Sequence, residues 1–212
     1  IKQQCMNSPV SVFRNKFGEE NILKAYNAIL DAWPVAFEEL FVSTRLGSTH
    51  IIACGEKESP PILLFHAFCA GAVSWYQNVK SLSEGYRVYV IDIIGDPNKS
   101  QPVKYIRLLS DYVDWINEVM DKLNIEKAHF IGNSVGAYHI ANFAINAPQR
   151  IRSMILIGPA ATFLKITPFY FHTFPGGITG WNFLVRHAVS WIENQTPLDP
   201  LFHRFFYLVL KY

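Results

Sequence analysis

Residues 130–136 read Phe-Ile-Gly-Asn-Ser-Val-Gly, and this stretch decides the fold. Residues 128–131, which are apolar apart from His129, predict a short buried strand, and a helix-compatible stretch follows from Ala137. A serine between two glycines at a strand-to-helix turn is typical of a nucleophile elbow, where larger side chains in place of the glycines would collide with neighbouring backbone. We interpret Ser134 as the nucleophile, with an ordinary glycine-bounded turn as the alternative. The residues expected to shape the turn are Gly132, Asn133 and Gly136.

Strands and helices are predicted to alternate along the chain on both sides of this turn. Continuous apolar runs predict strands buried on both faces, and apolar residues at helical spacing predict amphipathic helices. The predicted strands lie at 41–43, 50–53, 61–65, 86–92, 128–131 and 151–157, and the first two form a hairpin. The predicted helices lie at 19–33, 74–82, 108–123 and 137–147. This alternation indicates an α/β fold with a mainly parallel sheet, flanking helices and right-handed crossovers.

The chain changes character from residue 162 onward. Aromatic residues crowd this part of the chain, and prolines divide it into short predicted helices. The aromatic residues are Phe163, Phe169, Tyr170, Phe171, Phe174, Trp181, Phe183, Trp191, Phe202, Phe205, Phe206 and Tyr207. The prolines are Pro168, Pro175, Pro197 and Pro200.

The elbow and two other loops resemble the α/β-hydrolase superfamily, in its serine carboxylesterase-like branch with a helical cap. His66-Ala67-Phe68 is similar to the family's His-Gly-x oxyanion segment, with Ala67 at the usual glycine position. The loop 92–100 is similar to the family's Asp-x-x-Gly-x-Gly-x-Ser loop, with Pro97 in place of the second glycine. The resemblance implies the α/β-hydrolase fold. It divides the chain into an N-terminal helical segment at 1–40, a core at 41–161 and an incomplete helical cap at 162–212.

The resemblance also implies roles for individual residues. Ser134 would attack an ester carbonyl, and the backbone N–H groups of Phe68 and Val135 would hold the developing oxyanion. The residues expected to orient loops rather than to react are His66, Asp92 and Ser100. Cap aromatics would wall an apolar substrate pocket, although plain packing of the cap on the core is the alternative. The candidates for substrate contact are Cys69, Trp181 and Phe206.

The acid and the base that would activate Ser134 are not evident later in the chain. In this superfamily they follow the nucleophile, acid first and histidine last, on loops after later strands. The ionisable candidates after Ser134 are Glu193, Asp199, His139, His172, His187 and His203. Asp199 and His203 have the spacing of a local helix pair, which is more common than a triad couple. The resemblance therefore implies that the last strands, the acid and the histidine lie beyond residue 212.

The resulting hypothesis is a carboxylesterase that acts on an apolar small-molecule ester through an acyl-enzyme on Ser134. A serine at the elbow disfavours dehalogenases and epoxide hydrolases, which use a carboxylate nucleophile. Two alternatives stay open. One is another enzyme with the same serine, either a carbon–carbon bond hydrolase or a cofactor-free haloperoxidase-like relative, and the other is a non-catalytic ligand-sensing or scaffold protein. The oligomeric state does not follow from the sequence.

Composition argues against several other classes of protein. A net charge of +2 and a pI near 8.4 are too mild to indicate nucleic-acid binding. No apolar run approaches the ~18 residues of a membrane span, and residues 1–18 do not resemble a signal peptide. Cys5, Cys54 and Cys69 lack paired spacing, which favours free thiols and a cytoplasmic location. No metal or cofactor is predicted, since neither a metal-ligand motif nor a Gly-x-Gly-x-x-Gly turn appears.

Overall fold

A computed structural model describes residues 10–162, 167–195 and 198–212, without the side chains of 167–170 and 193–195. The predictions for Cys5, Phe163 and Pro197 lie outside these residues. The same holds for the side-chain predictions at Pro168, Phe169, Tyr170 and Glu193.

The described residues contain one seven-stranded sheet. Its strands are β1 (Phe37–Thr44), β2 (Gly47–Cys54), β3 (Pro61–Phe65), β4 (Arg87–Ile91), β5 (Gln101–Pro102), β6 (Ala128–Asn133) and β7 (Ile151–Ile157). The order across the sheet is β1-β2-β4-β3-β6-β7, and β5 pairs with β2. The neighbours β4, β3, β6 and β7 are parallel, whereas β1 and β2 pair antiparallel and β2 pairs antiparallel with β4. The predicted α/β sheet is therefore confirmed, with an antiparallel hairpin at one edge.

The register of the parallel strands brings the loops of interest together. Phe65, the last residue of β3, pairs with Ile91 at the end of β4 and with Gly132 near the end of β6. Because parallel strands end at the same edge, the segments that follow these three strands meet there. The elbow, the 66–69 segment and the 92–100 loop consequently lie at one edge of the sheet.

Helices cover both faces of the sheet. They are α1 (Lys16–Leu30), α2 (Val79–Ser83), α3 (Leu109–Lys122), α4 (Val135–Asn146), α5 (Thr167–Thr179), α6 (Asn182–Gln195) and α7 (Pro200–Lys211). The single helix predicted over 74–82 is instead a 3-10 turn, Ala72–Trp75, followed by the short α2. Three of the four residues in the 3-10 turn are buried, so this segment does not present the one apolar face of an amphipathic helix.

The core lies in two layers separated by the sheet, and β3 contributes alternately to both. Ile62 and Leu64 pack in a layer with α1, α6 and α7, whereas Leu63 and Phe65 pack in a layer with α3 and α4. This alternation follows from the two-residue period of a strand. The apolar run at 61–65 is thus buried on both faces.

The N-terminal helix packs against the last helix of the described chain. The ring centroid of Tyr26 on α1 lies 5.9 Å from that of Phe205 on α7. Asn15 caps α1, since its side chain accepts the Gly18 N–H at 2.8 Å. The domain boundary expected between residues 40 and 41 falls inside β1, which begins at Phe37. No helix in the described part of the chain is both long and apolar enough to cross a membrane.

Candidate active site

Ser134 lies between β6 and α4 in a backbone conformation that is rare outside glycine. Its φ is 51° and its ψ is −110°. Its N–H donates to the Ile157 carbonyl over 2.9 Å, and its own carbonyl accepts the N–H groups of Tyr138 and Ala160 at 3.0 and 3.1 Å. The strained residue is thus tied to the end of β7 and to the first turn of α4. These bonds maintain a conformation that would otherwise relax.

The two glycines of the elbow sit where no side chain fits. A Cβ added at Gly132 would lie 2.6 Å from the backbone nitrogen of Ala137. A Cβ added at Gly136 would lie 2.4 Å from the carbonyl oxygen of Phe65. Both distances are far inside van der Waals contact, and both partners are backbone atoms that cannot rotate away. The close approach of α4 to β3 therefore depends on glycine at position 136.

The segment after β3 is held by its own histidine. His66 is fully buried, its Nε2 accepts the Ile93 N–H at 2.9 Å, and its Nδ1 donates to the Ala67 carbonyl at 2.7 Å. Nε2 acts as an acceptor in this arrangement, and Nδ1 carries the hydrogen that it donates. Both ring nitrogens bond to backbone groups, so His66 orients the segment and offers no nitrogen to Ser134.

The left-handed residue of this segment is Cys69 rather than Ala67. Cys69 has a φ of 58°, and Ala67 is not among the described residues with positive φ. Burial raises the pKa of the Cys69 thiol well above its usual value, and the charge of Asp96 adds to that shift. The thiol is therefore a neutral group in the wall of the site, not a thiolate nucleophile.

Asp92 organises the neighbouring loop from a fully buried position. Its carboxylate accepts the Tyr26 hydroxyl at 2.9 Å, the Ala72 N–H at 2.6 Å and the Lys99 N–H at 3.2 Å. Burial alone would raise the pKa of Asp92, but the hydrogen bond and charge of His50, with smaller contributions from its other partners, bring that pKa below its usual value. The Ser100 hydroxyl donates to the Asp92 carbonyl at 2.8 Å.

Two cavities meet at Ser134. The first has a volume of about 600 Å³ and lies between the 66–69 segment, the 95–97 turn and helices α5 and α7. The second has a volume of about 540 Å³ and extends toward Trp75, Trp191 and Leu198. Phe68, Ser134 and Phe206 line both cavities. Because most of the lining is apolar, either cavity suits a hydrocarbon part of a ligand.

The three residues expected to contact substrate do not all line these cavities. Phe206 is only 8% exposed and lines both cavities, and Cys69 lines the first. Trp181 is 61% exposed, lines neither cavity, and lies beside Phe183 with ring centroids 5.9 Å apart. The described structure therefore gives no support to substrate contact by Trp181. Trp181 directly precedes α6, and its exposure could be learned only from the folded structure.

The histidines after Ser134 are engaged elsewhere. His139 is buried in α4 with its ring centroid 4.1 Å from that of Tyr112, and burial, with His66 nearby, lowers the pKa of His139 to about 4. His172 on α5 and His187 on α6 face each other, with Nδ1 and Nε2 3.1 Å apart. His203 lines a separate cavity on α6 and α7. None of the seven histidines in the chain, all of which are described, lines either cavity at Ser134.

Asp199 and His203 do not form a couple at Ser134. Asp199 is the N-cap of α7, where its side chain accepts the Leu201 N–H at 2.9 Å. The His203 N–H bonds to the Asp199 carbonyl at 2.7 Å, as in any helix. Neither residue lines a cavity that contains Ser134. Capping explains this Asp without any catalytic role.

Sequence reasoning missed Asp96, which lines the first cavity together with Ser134. Its Oδ2 accepts the Cys69 N–H at 3.0 Å and lies 4.0 Å from His66 Nδ1. The sequence does offer one indication of this role, because Asp96 is an acidic residue between Gly95 and Pro97 in the loop 92–100. The amide that Asp96 binds belongs to Cys69, which is 27 residues away, so the spacing of residues along the chain could not predict this hydrogen bond.

Comparison with known proteins agrees with this geometry. A family model described as alpha/beta hydrolase fold matches residues 60–202. Carboxylesterase nap of Bacillus subtilis is 40% identical over 182 residues, which cover 84% of this chain and 59% of that protein. Carboxylesterase YbfK of the same organism is 37% identical over 185 residues, which cover 85% of this chain and 61% of that protein. The chain therefore spans about three-fifths of the length of these relatives.

A solved structure extends the likeness to three dimensions. The crystal structure of naproxen esterase (carboxylesterase NP) from Bacillus subtilis superposes with a TM-score of 0.87 at 34% identity, covering 93% of this chain and 69% of that one. The matched family model spans the 66–69 segment, the turn at Ser134 and helices α5 and α6. On the combined evidence of sequence and architecture, this chain belongs to the α/β-hydrolase fold family.

Proposed function

We propose that the protein is a carboxylesterase that hydrolyses apolar esters through an acyl-enzyme on Ser134. The observation that carries this proposal is the position of Ser134, which is held in the strained elbow conformation where two largely apolar cavities meet. The carboxylesterase names of relatives at 40% and 37% identity support the same reaction. They favour it over carbon–carbon bond hydrolysis and over a non-catalytic role.

In the proposed reaction the Ser134 hydroxyl oxygen attacks the ester carbonyl carbon while a base takes its proton. The tetrahedral intermediate carries a negative oxygen, which the N–H groups of Phe68 and Val135 would stabilise. Val135 is the first residue of α4, so its N–H has no acceptor within that helix, and the helix N-terminus adds a field that favours a negative charge. The protonated base then gives its proton to the departing alcohol, and water hydrolyses the acyl-enzyme by the same steps.

We propose that the base is a histidine outside these 212 residues, oriented by a carboxylate that also lies outside them. The seven histidines of the chain are engaged elsewhere or lie away from the cavities, and none lines a cavity at Ser134. A serine hydroxyl is a poor nucleophile near neutral pH without such a base. The relatives' greater length is compatible with this arrangement.

We also propose that the substrate is a small ester with an apolar part on each side of the carbonyl. Two cavities of about 600 and 540 Å³ adjoin Ser134, and Phe206 from the cap lies at the boundary between them. An acyl chain in one cavity and an alcohol group in the other would both be buried. The buried thiols Cys54 and Cys69, neither in a disulfide, support our proposal of a cytoplasmic location.

The test is covalent labelling of the intact protein with a fluorophosphonate probe, followed by mass spectrometry of the peptides. We expect the label on Ser134, and none on Ser100 or Ser74, whose hydroxyls donate to the carbonyls of Asp92 and Gly71. The Ser134→Ala variant should lose both the label and ester hydrolysis. Labelling at another serine, or hydrolysis that survives in Ser134→Ala, would refute the proposed function.

A further inference from the structure

The segment that would stabilise the oxyanion consists of two successive peptide units, and each is held by a different side chain. The Ala67 carbonyl accepts His66 Nδ1 at 2.7 Å and the Ala70 N–H at 3.0 Å, which fixes the first unit. In a trans peptide the N–H points opposite to the carbonyl, so these two bonds constrain the Phe68 N–H from the N-terminal side of Phe68, and the next peptide unit constrains it from the C-terminal side.

The second peptide unit is held by Asp96. The N–H of Cys69 donates to Asp96 Oδ2 at 3.0 Å, and this bond accompanies the left-handed φ of 58° at Cys69. A non-glycine residue in this conformation is strained, so it persists only when its surroundings hold it. Because this N–H is already bonded to Asp96, it is not free to bind an oxyanion.

Asp96 and Asp92, four residues apart in one loop, therefore bind two backbone amides that are three residues apart in the chain after β3. Asp92 Oδ1 accepts the Ala72 N–H at 2.6 Å, and Asp96 Oδ2 accepts the Cys69 N–H. Asp92 is fully buried, whereas the side chain of Asp96 is 15% exposed and lines the cavity that contains Ser134. Asp96 is thus the anchor adjacent to the reacting groups.

We propose that Asp96 is a positioning residue of the oxyanion hole, which keeps the Phe68 N–H directed at the oxyanion by fixing the Cys69 amide. This inference rests on the proposed function of the Ser134 site. The role requires a hydrogen-bond acceptor at the position of Oδ2. It does not require a negative charge, because a charge there would oppose the developing oxyanion.

The surroundings of Asp96 agree with a role that depends on the acceptor. Burial raises the pKa of Asp96, and the charge of Asp92 adds to this, although His66 and the Cys69 N–H act in the opposite direction. The other ionisable groups near it are the Cys69 thiol and the Tyr112 hydroxyl, whose pKa values are raised by burial and by Asp96. Among the described residues no Lys or Arg forms an ion pair with Asp96.

The experiment compares three variants of the intact protein, namely Asp96→Ala, Asp96→Asn and Asp96→Glu. Asn keeps an acceptor in place, whereas Ala removes it and Glu displaces it by one methylene group. We expect kcat to fall about 10- to 100-fold in Asp96→Ala and Asp96→Glu with KM changed by less than about 3-fold, since small misplacement of catalytic groups has effects of this size. Asp96→Asn should stay within about 3-fold of wild type in kcat, because the acceptor survives.

A second measurement distinguishes damage to the oxyanion hole from a general loss of stability. A trifluoromethyl ketone forms a hemiketal oxyanion with the nucleophile, so its Ki should rise in Asp96→Ala by the same factor by which kcat/KM falls. Rates are expressed per active site titrated with an organophosphate, which removes any misfolded fraction. The matched control is Asp121→Ala, which removes an exposed carboxylate paired with Arg150 at 2.8 Å.

The outcomes distinguish this inference from the function on which it rests. If Ser134→Ala retains hydrolysis, the proposed function is wrong and the inference fails with it. If Ser134→Ala is inactive but Asp96→Ala matches wild type in kcat and Ki, only the role of Asp96 is overturned. If Asp96→Asn falls as far as Asp96→Ala while Asp96→Glu is unaffected, the charge matters and the acceptor role is wrong.

Discussion

His50 Nδ1 lies 2.8 Å from Asp92 Oδ2, and both side chains are fully buried. On its other side, His50 Nε2 lies 2.9 Å from Oε1 of Glu39 on β1. The Tyr26 hydroxyl, from α1, donates to the same Asp92 oxygen at 2.9 Å. This network joins the N-terminal helix, the hairpin and the loop after β4, so it couples the hairpin edge of the sheet to the loop that supports the site.

Removal of the carboxylate at position 92 should destabilise the fold strongly. We expect Asp92→Ala to lower the free energy of unfolding by about 3–5 kcal/mol, because buried donors would lose their shared acceptor. The control is Asp121→Ala, which removes an ion pair with Arg150. Because the Asp121 side chain is 64% exposed, this variant should lower the free energy of unfolding by less than about 1 kcal/mol. Urea unfolding of both variants measures the difference, and equal small losses would mean that the network contributes little.

Asp92 should also make the stability of the protein depend on pH at the acid end. The pKa of Asp92 is lowered in the fold, so its ionised form stabilises the protein above the unfolded pKa of about 3.9. That stabilisation is lost as the pH falls through the lower folded value. Melting temperatures of wild type and Asp92→Asn should therefore converge below about pH 3.9. A constant gap between them at every pH would contradict this prediction.

His139 should make the stability of the protein depend on pH in a second, higher range. Its folded pKa of about 4 lies below the unfolded value of about 6.5, so only the unfolded state takes up a proton between these values. Stability should therefore fall as the pH drops from about 6.5 to about 4, by roughly 3 kcal/mol in total. His139→Phe keeps a ring beside Tyr112 and should flatten this slope. The comparison variant is His129→Phe at a partly exposed site, and an equal flattening in both would refute the assignment.

Phe206 should influence the choice of acyl chain, whereas Trp181 should not. Phe206 lines both cavities at Ser134, and Trp181 lies on the surface away from them. Phe206→Ala is expected to shift the ratio of kcat/KM between butyrate and octanoate esters by about 1–3 kcal/mol. Trp181→Ala is the matched aromatic control and should leave that ratio unchanged. Equal loss on both esters in Phe206→Ala, together with a large fall in Tm, would mean that this ring only packs.

The 212 residues by themselves should be a very weak esterase. Without an acid and a base, the expected rate is only about 10³–10⁴-fold over water, from the oxyanion hole and binding alone. The measurement is hydrolysis of a short p-nitrophenyl ester by this chain, with Ser134→Ala as the blank. Turnover at rates typical of complete esterases would place the base inside the chain. His66→Ala and His203→Ala would then identify it.

Much of the fold could be predicted because its signals are local. The apolar run 61–65 is buried on both faces, as such a run requires, and the glycines at 132 and 136 have no room for a Cβ. The same locality explains what the sequence did not predict. The segment 74–82 is a 3-10 turn and a short helix rather than one helix, and Trp181 is exposed and lines neither cavity at Ser134. Spacing along a helix indicates an apolar face but not what that face meets.

The sequence by itself determined the elbow at Ser134, the alternation of strands and helices, and membership of one fold class. Those features depend on residues that are close together in the chain, so the order of residue types is enough to predict them. Only the tertiary structure decided that Cys69 adopts the left-handed conformation, that Asp96 holds its amide, and that Phe206 rather than Trp181 reaches the cavities. Each of these depends on groups brought together by strand register and helix packing, which are set by the whole core rather than by any one segment.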